Sequence, residues 1–256
     1  MSLWVLLSAG TLVVFARRER RRRALESDRD AIRGGADPGA LAPARLAALA
    51  SDPATPAEEA APLARRVLDG PLRARIRRDA GSARPWWRRI AALRILSRAG
   101  DAEAPRRLRE ALFSGHRPLA GAAAAVLGQD GSRRSAEVLV EGLVSDVHSS
   151  SRLATAIERN GSPVADLLRP RLRDSDARLR YWAAYLAARW PSEAGLDAEL
   201  AALAGDPDPL VRKAAIQSLG ALGGPLVRDA AARLRDDPID FVRSHAASAL
   251  DAQAGR

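Results

Sequence analysis

The sequence predicts an all-α protein, an α-solenoid of stacked helical hairpins preceded by one N-terminal hydrophobic helix. Three observations predict it. An apolar residue followed by a small or apolar residue four and eight positions later recurs about every 31 residues from Trp87 onward. A second apolar helical pattern follows within each period, and ahead of both the run Leu3–Ala16 carries no charge. Helical spacing places residues i, i+4 and i+8 on one stripe, and a fixed period of paired stripes marks stacked repeats.

The chain has 256 residues and 47% hydrophobic and 28% charged residues, enough for a packed core. It has no cysteine and three histidines, which excludes disulfide frameworks, thiol nucleophiles and cysteine zinc sites. The formal charge is +10, and Lys213 is the only lysine, so arginine supplies nearly all the positive charge. Acidic partners follow as an expectation.

Taken from the N-terminus, residues 1–23 read as a membrane anchor with a juxtamembrane arginine run. Trp4 and Phe15 bracket the apolar stretch, and Arg17, Arg18, Arg20, Arg21, Arg22 and Arg23 follow it. The arginines come after the apolar run, the reverse of a secretory signal, so the positive-inside rule puts the N-terminus outside and the repeats in the cytoplasm of a single-pass inner-membrane protein. Fourteen residues cover roughly 21 Å against a hydrocarbon core of ~30 Å, so snorkelling of Arg17 and Arg18, local bilayer thinning or packing against another protein's membrane helices has to make up the difference; the other reading is a buried terminal helix or a membrane-surface helix. These residues are the expected contacts with lipid and its anionic headgroups. Residues 24–39, with Gly34-Gly35 and Asp37-Pro38, read as a linker made of a short helix extension followed by a flexible spacer. Residues 40–81 contain three short helical patterns that cap the array.

The repeats occupy 82–256, with first helices starting near 87, 119, 151, 179, 211 and 242. Five units match fully; the unit at 151 is weaker, because Thr155 and Arg159 interrupt the stripe. The small residue at the middle position lets neighbouring helices approach closely. Five residues before the stripe stand Asp146, Asp174, Asp206 and Asp237, and one residue after its start stand Arg152, Arg180, Arg212 and Arg243. Aspartates at those positions suit helix caps, and pairing with the arginine of the same or an adjacent unit would tie the stack together. The final unit ends after its first helix, leaving an edge without its expected second helix.

The unit D-x-x-x-x-[VL]-R-x-x-A-x-x-x-L resembles the short HEAT repeat, also called phycobilin-lyase-like, over roughly residues 82–256. The resemblance implies a scaffold that binds proteins along an extended surface; fold alone does not assign chemistry. Deoxyhypusine-hydroxylase-like HEAT enzymes hold two irons with His-Glu pairs, and here the three histidines precede Arg117, Ser149 and Ala246. No enzyme, cofactor or metal is therefore expected.

The leading expectation is a membrane-anchored cytoplasmic HEAT-repeat adaptor for a partner protein, with a membrane protein complex as the expected partner. The alternatives are a soluble nucleic-acid binder resembling alkylpurine DNA glycosylases, or a lyase-like accessory protein. Trp87, Trp182 and Tyr185 fall on packing positions, whereas Trp86 and Trp190 are freer and serve as candidate surface anchors. Arginines of the second helices, including Arg106, Arg109, Arg169, Arg173 and Arg233, are the candidate partner-binding cations. Glu193, Asp197 and Glu199 interrupt them, which argues against an unbroken phosphate track.

Overall fold

The computed structural model describes residues 19–82, 85–190 and 196–254, and every regular element among them is helical. The chain divides into two compact units, 1–107 and 108–256.

In the first unit α1 covers 19–33, followed by α2 (Pro43–Ser51), α3 (Ala57–Asp69), α4 (Arg73–Ser82), α5 (Trp86–Arg98) and the start of α6 (Ala104–Leu112). The apolar faces of α2, α3 and α5 close on one another through Leu46, Leu49, Leu63, Val67, Leu93 and Leu96, all buried. Within the segment read as a linker, the expected helix extension is the end of α1, which runs to residue 33, and the expected spacer holds a turn and a short 3-10 helix, Pro38–Ala40; α1 is tied to the body. Asp28, buried, takes both Arg45 nitrogens; Arg29 reaches Asp52 at 2.9 Å and Arg33 reaches Glu59 at 2.7 Å. Alternating charges along α1 find partners on two neighbouring helices, which converts a sequence that looks like a spacer into a docked helix.

Arg94 and Arg98 of α5 cap the carboxyl end of α2. Arg98 donates to the carbonyls of Ala50, Asp52 and Thr55, each at 2.9 Å, and Arg94 to that of Ser51 at 2.8 Å. Desolvation lowers both guanidinium pKa values, that of Arg98 to about 10. The carbonyls they meet are those a helix end leaves without intrahelical donors.

The membrane expectation is corrected here. Among the described residues no helix is long and apolar enough to cross a membrane, so the single-pass inner-membrane placement with the N-terminus outside is withdrawn. Trp4, Phe15, Arg17 and Arg18 lie outside the described residues. Of the rest of the run, Arg22 pairs with Glu19 and Glu26 and Arg23 with Glu19, while Arg20 and Arg21 are exposed.

In the second unit the order is α7 (Arg117–Asp130), α8 (Arg133–Val144), α9 (Ser150–Asn160), α10 (Ala165–Leu168) with a 3-10 extension (Arg169–Arg173), α11 (Ala177–Ala187), α12 (Leu196–Ala202), α13 (Pro209–Leu222), α14 (Leu226–Arg233) and α15 (Asp240–Ala254). Odd-numbered helices stack on one another, α7 on α9, α9 on α11, α11 on α13 and α13 on α15, while α8, α10, α12 and α14 form the second row. Leu139, Leu143, Leu168, Leu172, Leu200 and Val227 bury that second row. Gly128 brings α7 within van der Waals contact of α9, since a Cβ there would lie 2.9 Å from the Ala156 carbonyl oxygen. Gly220, one residue past Leu219, does the same for α15, with Ala249 Cβ 3.1 Å from where its own Cβ would lie.

Burial also resets the weak unit. Leu119, Ala123, Ala124, Val126 and Leu127 are buried on α7, as are Leu179, Ala183, Ala184, Leu186 and Ala187 on α11. On α9 the equivalent buried set is Leu153, Ala154, Ala156 and Ile157, so the stripe starts at Ser149 rather than Ser151. Ser149, exposed, stands where α7, α11, α13 and α15 bury Leu119, Leu179, Val211 and Val242.

Candidate functional site

The Asp-Arg ladder forms fully in the last units and links each repeat to the next. Arg180 grips the Asp206 carboxylate through Nε and Nη2 at 2.7 and 2.9 Å, and its Nη1 donates to the carbonyls of Asp174 and Ser175. Arg212 repeats this on Asp237 at 2.7 and 2.9 Å, with Nη1 on the carbonyls of Asp206 and Pro207. Arg243 closes the series on the Asp237 carbonyl and on Asp240. Arg180 and Arg212 thus read the backbone of their own repeat and the carboxylate of the following one, while Arg243 stays within its own repeat.

The aspartates do not cap the stripe helices directly. Asp206 and Asp237 accept the N–H two residues on, those of Asp208 and Ile239, and the N-caps of α11 and α13 are Asp176 and Asp208. Asp237 is held below the usual carboxylate range chiefly by Arg212. For Asp206 burial pulls upward, but Arg180 and the Asp208 N–H outweigh it and the net direction is down.

The ladder fails at its first rungs. Asp174 accepts from Asp176 N–H and pairs with Arg171 of its own segment. Asp146, at a positive φ of 52°, faces Arg178 at 3.5 Å. Arg152, two residues beyond the true register, reaches neither aspartate.

Several arginines of the second helices are also committed, whereas Arg134 and Arg228 are exposed. Arg109 holds Glu141 and lies over the Phe113 ring at 4.8 Å; Arg169 and Arg173 share Glu199 at 2.8 and 3.2 Å; Arg106 pairs with Glu103 at 2.7 Å. Arg233 donates to the carbonyls of Asp229 and Ala201. With Arg133 on Asp166 at 2.7 Å, this row is an ion-pair ladder of its own between consecutive repeats. These paired cations serve the stack, and the expected basic surface is neutralised at Arg106, Arg109, Arg133, Arg169 and Arg173.

The tryptophans exchange roles. Trp190 is 9% exposed, so it belongs to the core rather than to the surface. Trp87 is 58% exposed because the α5 stripe runs through Ala92, Leu93, Ile95 and Leu96, one residue out of the expected register. Trp86 is half-buried, edge-on to Trp87 with ring centroids 6.2 Å apart. Trp182 and Tyr185 form a half-buried aromatic cluster with Tyr181.

What the sequence reading missed is a groove along α7 and α9. One cavity of about 720 Å³ is lined by Arg117, Pro118, Asp146, Val147, His148, Ser149 and Arg152. A second, of about 270 Å³, shares Arg152 and runs over Gly121, Ala124, Ala125 and Gly128 to Thr155 and Arg159. Arg117, Arg152 and Arg159 are exposed, and none of them takes a carboxylate partner among the described residues. His148 packs where a Cβ on Gly121 would lie 2.9 Å from its Nε2, and that buried nitrogen has no hydrogen-bond partner. Desolvation, then Arg152 and Arg117, hold its pKa below the usual histidine value. The signal that would have located the groove is the break in the ladder: with Ser150 in the arginine position and Val144 in the aspartate position, nothing neutralises the neighbouring arginines.

Among the described residues no group of three or more His, Cys, Asp or Glu side chains is disposed to hold a metal. His116 accepts the Leu119 N–H at the start of α7, and His245 bonds the Phe241 carbonyl.

A family-model match agrees with the repeat geometry. Residues 165–251 match the family model of HEAT repeats, a span that holds the three units with the best-formed ladder. Among solved structures the chain is similar to human deoxyhypusine hydroxylase in complex with glycerol, at 18% identity, covering 84% of this chain and 96% of that one with a TM-score of 0.33. No curated protein matches the sequence.

Proposed function

We propose that this chain is a helical-repeat scaffold whose activity is binding a partner protein rather than turning over a substrate. The single observation that supports it most is the α7–α9 groove: an open, elongated surface that gathers Arg117, Arg152 and Arg159 without a carboxylate partner, in a unit that joins several of its consecutive repeats by arginine–carboxylate pairs. HEAT repeats of residues 165–251 agree with an interaction role. The histidines agree as well, since two of the three hydrogen-bond to nearby main chain and the third lies against Gly121. A phosphate track is less well supported, because the second-row arginines are held by Glu141, Asp166 and Glu199.

Crosslinking mass spectrometry on the full chain isolated from its native source tests the reading. The expected result is a defined protein partner with crosslinks to the odd-numbered helices. Isolation with nucleic acid that nuclease treatment removes, and with no protein partner, overturns it.

A further inference from the structure

We propose that the groove between α7 and α9 seats an extended acidic segment of a partner protein, its carboxylates taken by Arg117, Arg152 and Arg159. The proposal rests on the scaffold reading and adds the chemistry of the partner and its place.

Charge complementarity carries it. Between consecutive repeats of the second unit, arginine and carboxylate recur as matched pairs: Arg109 with Glu141, Arg133 with Asp166, Arg169 with Glu199, Arg180 with Asp206, Arg212 with Asp237. The α7–α9 interval has three arginines and no such match, and the one carboxylate on its rim, Asp146, faces Arg178 instead. Guanidinium forks bind carboxylates in pairs of parallel hydrogen bonds, so a groove of unmatched arginines selects an acidic chain over a neutral one.

Shape adds length and depth. The two cavities meet at Arg152 and follow α7 from Arg117 to Gly128, about 16 Å at the helical rise, which accommodates about five residues of extended chain. The floor is made of glycine and alanine, so a backbone can lie close to the helices while its side chains reach the rim. The buried Nε2 of His148 supplies one more polar group without a partner at the Arg117 end.

The test is fluorescence anisotropy of a labelled glutamate-rich peptide titrated with the full chain, unlabelled peptide and double-stranded DNA serving as competitors. Arg152→Glu reverses a groove charge, Ala125→Leu fills the floor without changing charge, and Arg228→Glu makes the same charge change on α14, away from the groove. Circular dichroism melts establish that each variant is folded, and Arg152→Gln replaces Arg152→Glu if the latter is not. The expected result is saturable binding that both groove variants weaken by about tenfold or more while Arg228→Glu changes it by less than about twofold. Failure of the acidic peptide to saturate, equal weakening by Arg228→Glu, or tighter competition by DNA than by peptide overturns the proposal. If a native partner complex forms and survives Arg152→Glu and Ala125→Leu, the scaffold reading stands and the groove assignment falls.

Discussion

Replacing Arg212 by methionine tests the ladder where it is best formed. Methionine keeps much of the aliphatic bulk and removes four hydrogen bonds: two to the Asp237 carboxylate at 2.7 and 2.9 Å, and two to the Asp206 and Pro207 carbonyls at 2.8 and 3.2 Å. It leaves Asp237, whose side chain is 5% exposed, with the Ile239 N–H as its remaining donor. Stripping one partner from a buried pair typically costs about 3–5 kcal/mol. Protonation limits the loss, because neutralising a carboxyl of ordinary pKa at pH 7 costs about 4 kcal/mol. Arg243, on the Asp237 carbonyl, retains some positive charge nearby. The expected loss is therefore about 2–4 kcal/mol, a fall of about 1–2 M in the urea midpoint at an m-value near 2 kcal/mol/M. Far-UV circular dichroism during urea unfolding measures it. Because protonated Asp237 relieves the strain, the gap to wild type shrinks between pH 7 and pH 5. Asp237→Ala is milder, since Arg212 keeps its two carbonyl acceptors, and the double variant costs less than the sum of the singles. A loss under about 1 kcal/mol, the range of exposed pairs, or strict additivity refutes the argument.

Three further outcomes are expected. Gly128→Val costs about 1–3 kcal/mol, because its Cβ meets the Ala156 carbonyl at 2.9 Å and its Cα at 3.1 Å, and α9 has to move; a melting temperature within error of wild type contradicts this. Asp206 and Asp237 have folded pKa values below their unfolded ones, so their contribution is fully present above about pH 4 and is lost as pH falls through the lowered values; an acid titration followed by circular dichroism should show the 165–251 units losing stability in that window, and a loss already complete at pH 5 opposes it. Trp190→Ala destabilises by about 3–5 kcal/mol while Trp87→Ala changes stability by less than about 1 kcal/mol, and equal effects on thermal melting overturn the exchange of roles.

The period, the pairing of helices and the chemical partners of the ladder were present in the sequence. Val211 and Ala215 repeat at Val242 and Ala246, all buried, because each helix hides one stripe and a stripe needs residues at helical spacing wherever its neighbour lies, whereas Leu250, at the position of buried Leu219, is exposed on the last helix. The Asp-Arg alternation could be read for the same reason, since its members sit at fixed offsets from the stripe. Tertiary structure decided what depends on the neighbour rather than the helix. It placed the third stripe at Ser149, because Leu153 and Ile157 had to face α7 and α11, and that shift took Arg152 out of the ladder and into the groove. Trp190 is buried and Trp87 exposed because the rotation of a helix about its axis is set by what packs on it. The same holds for α1, whose charges look like those of a spacer until Arg45, Asp52 and Glu59 come into reach, since an ion pair between residues far apart in the chain exists only after folding has brought them together.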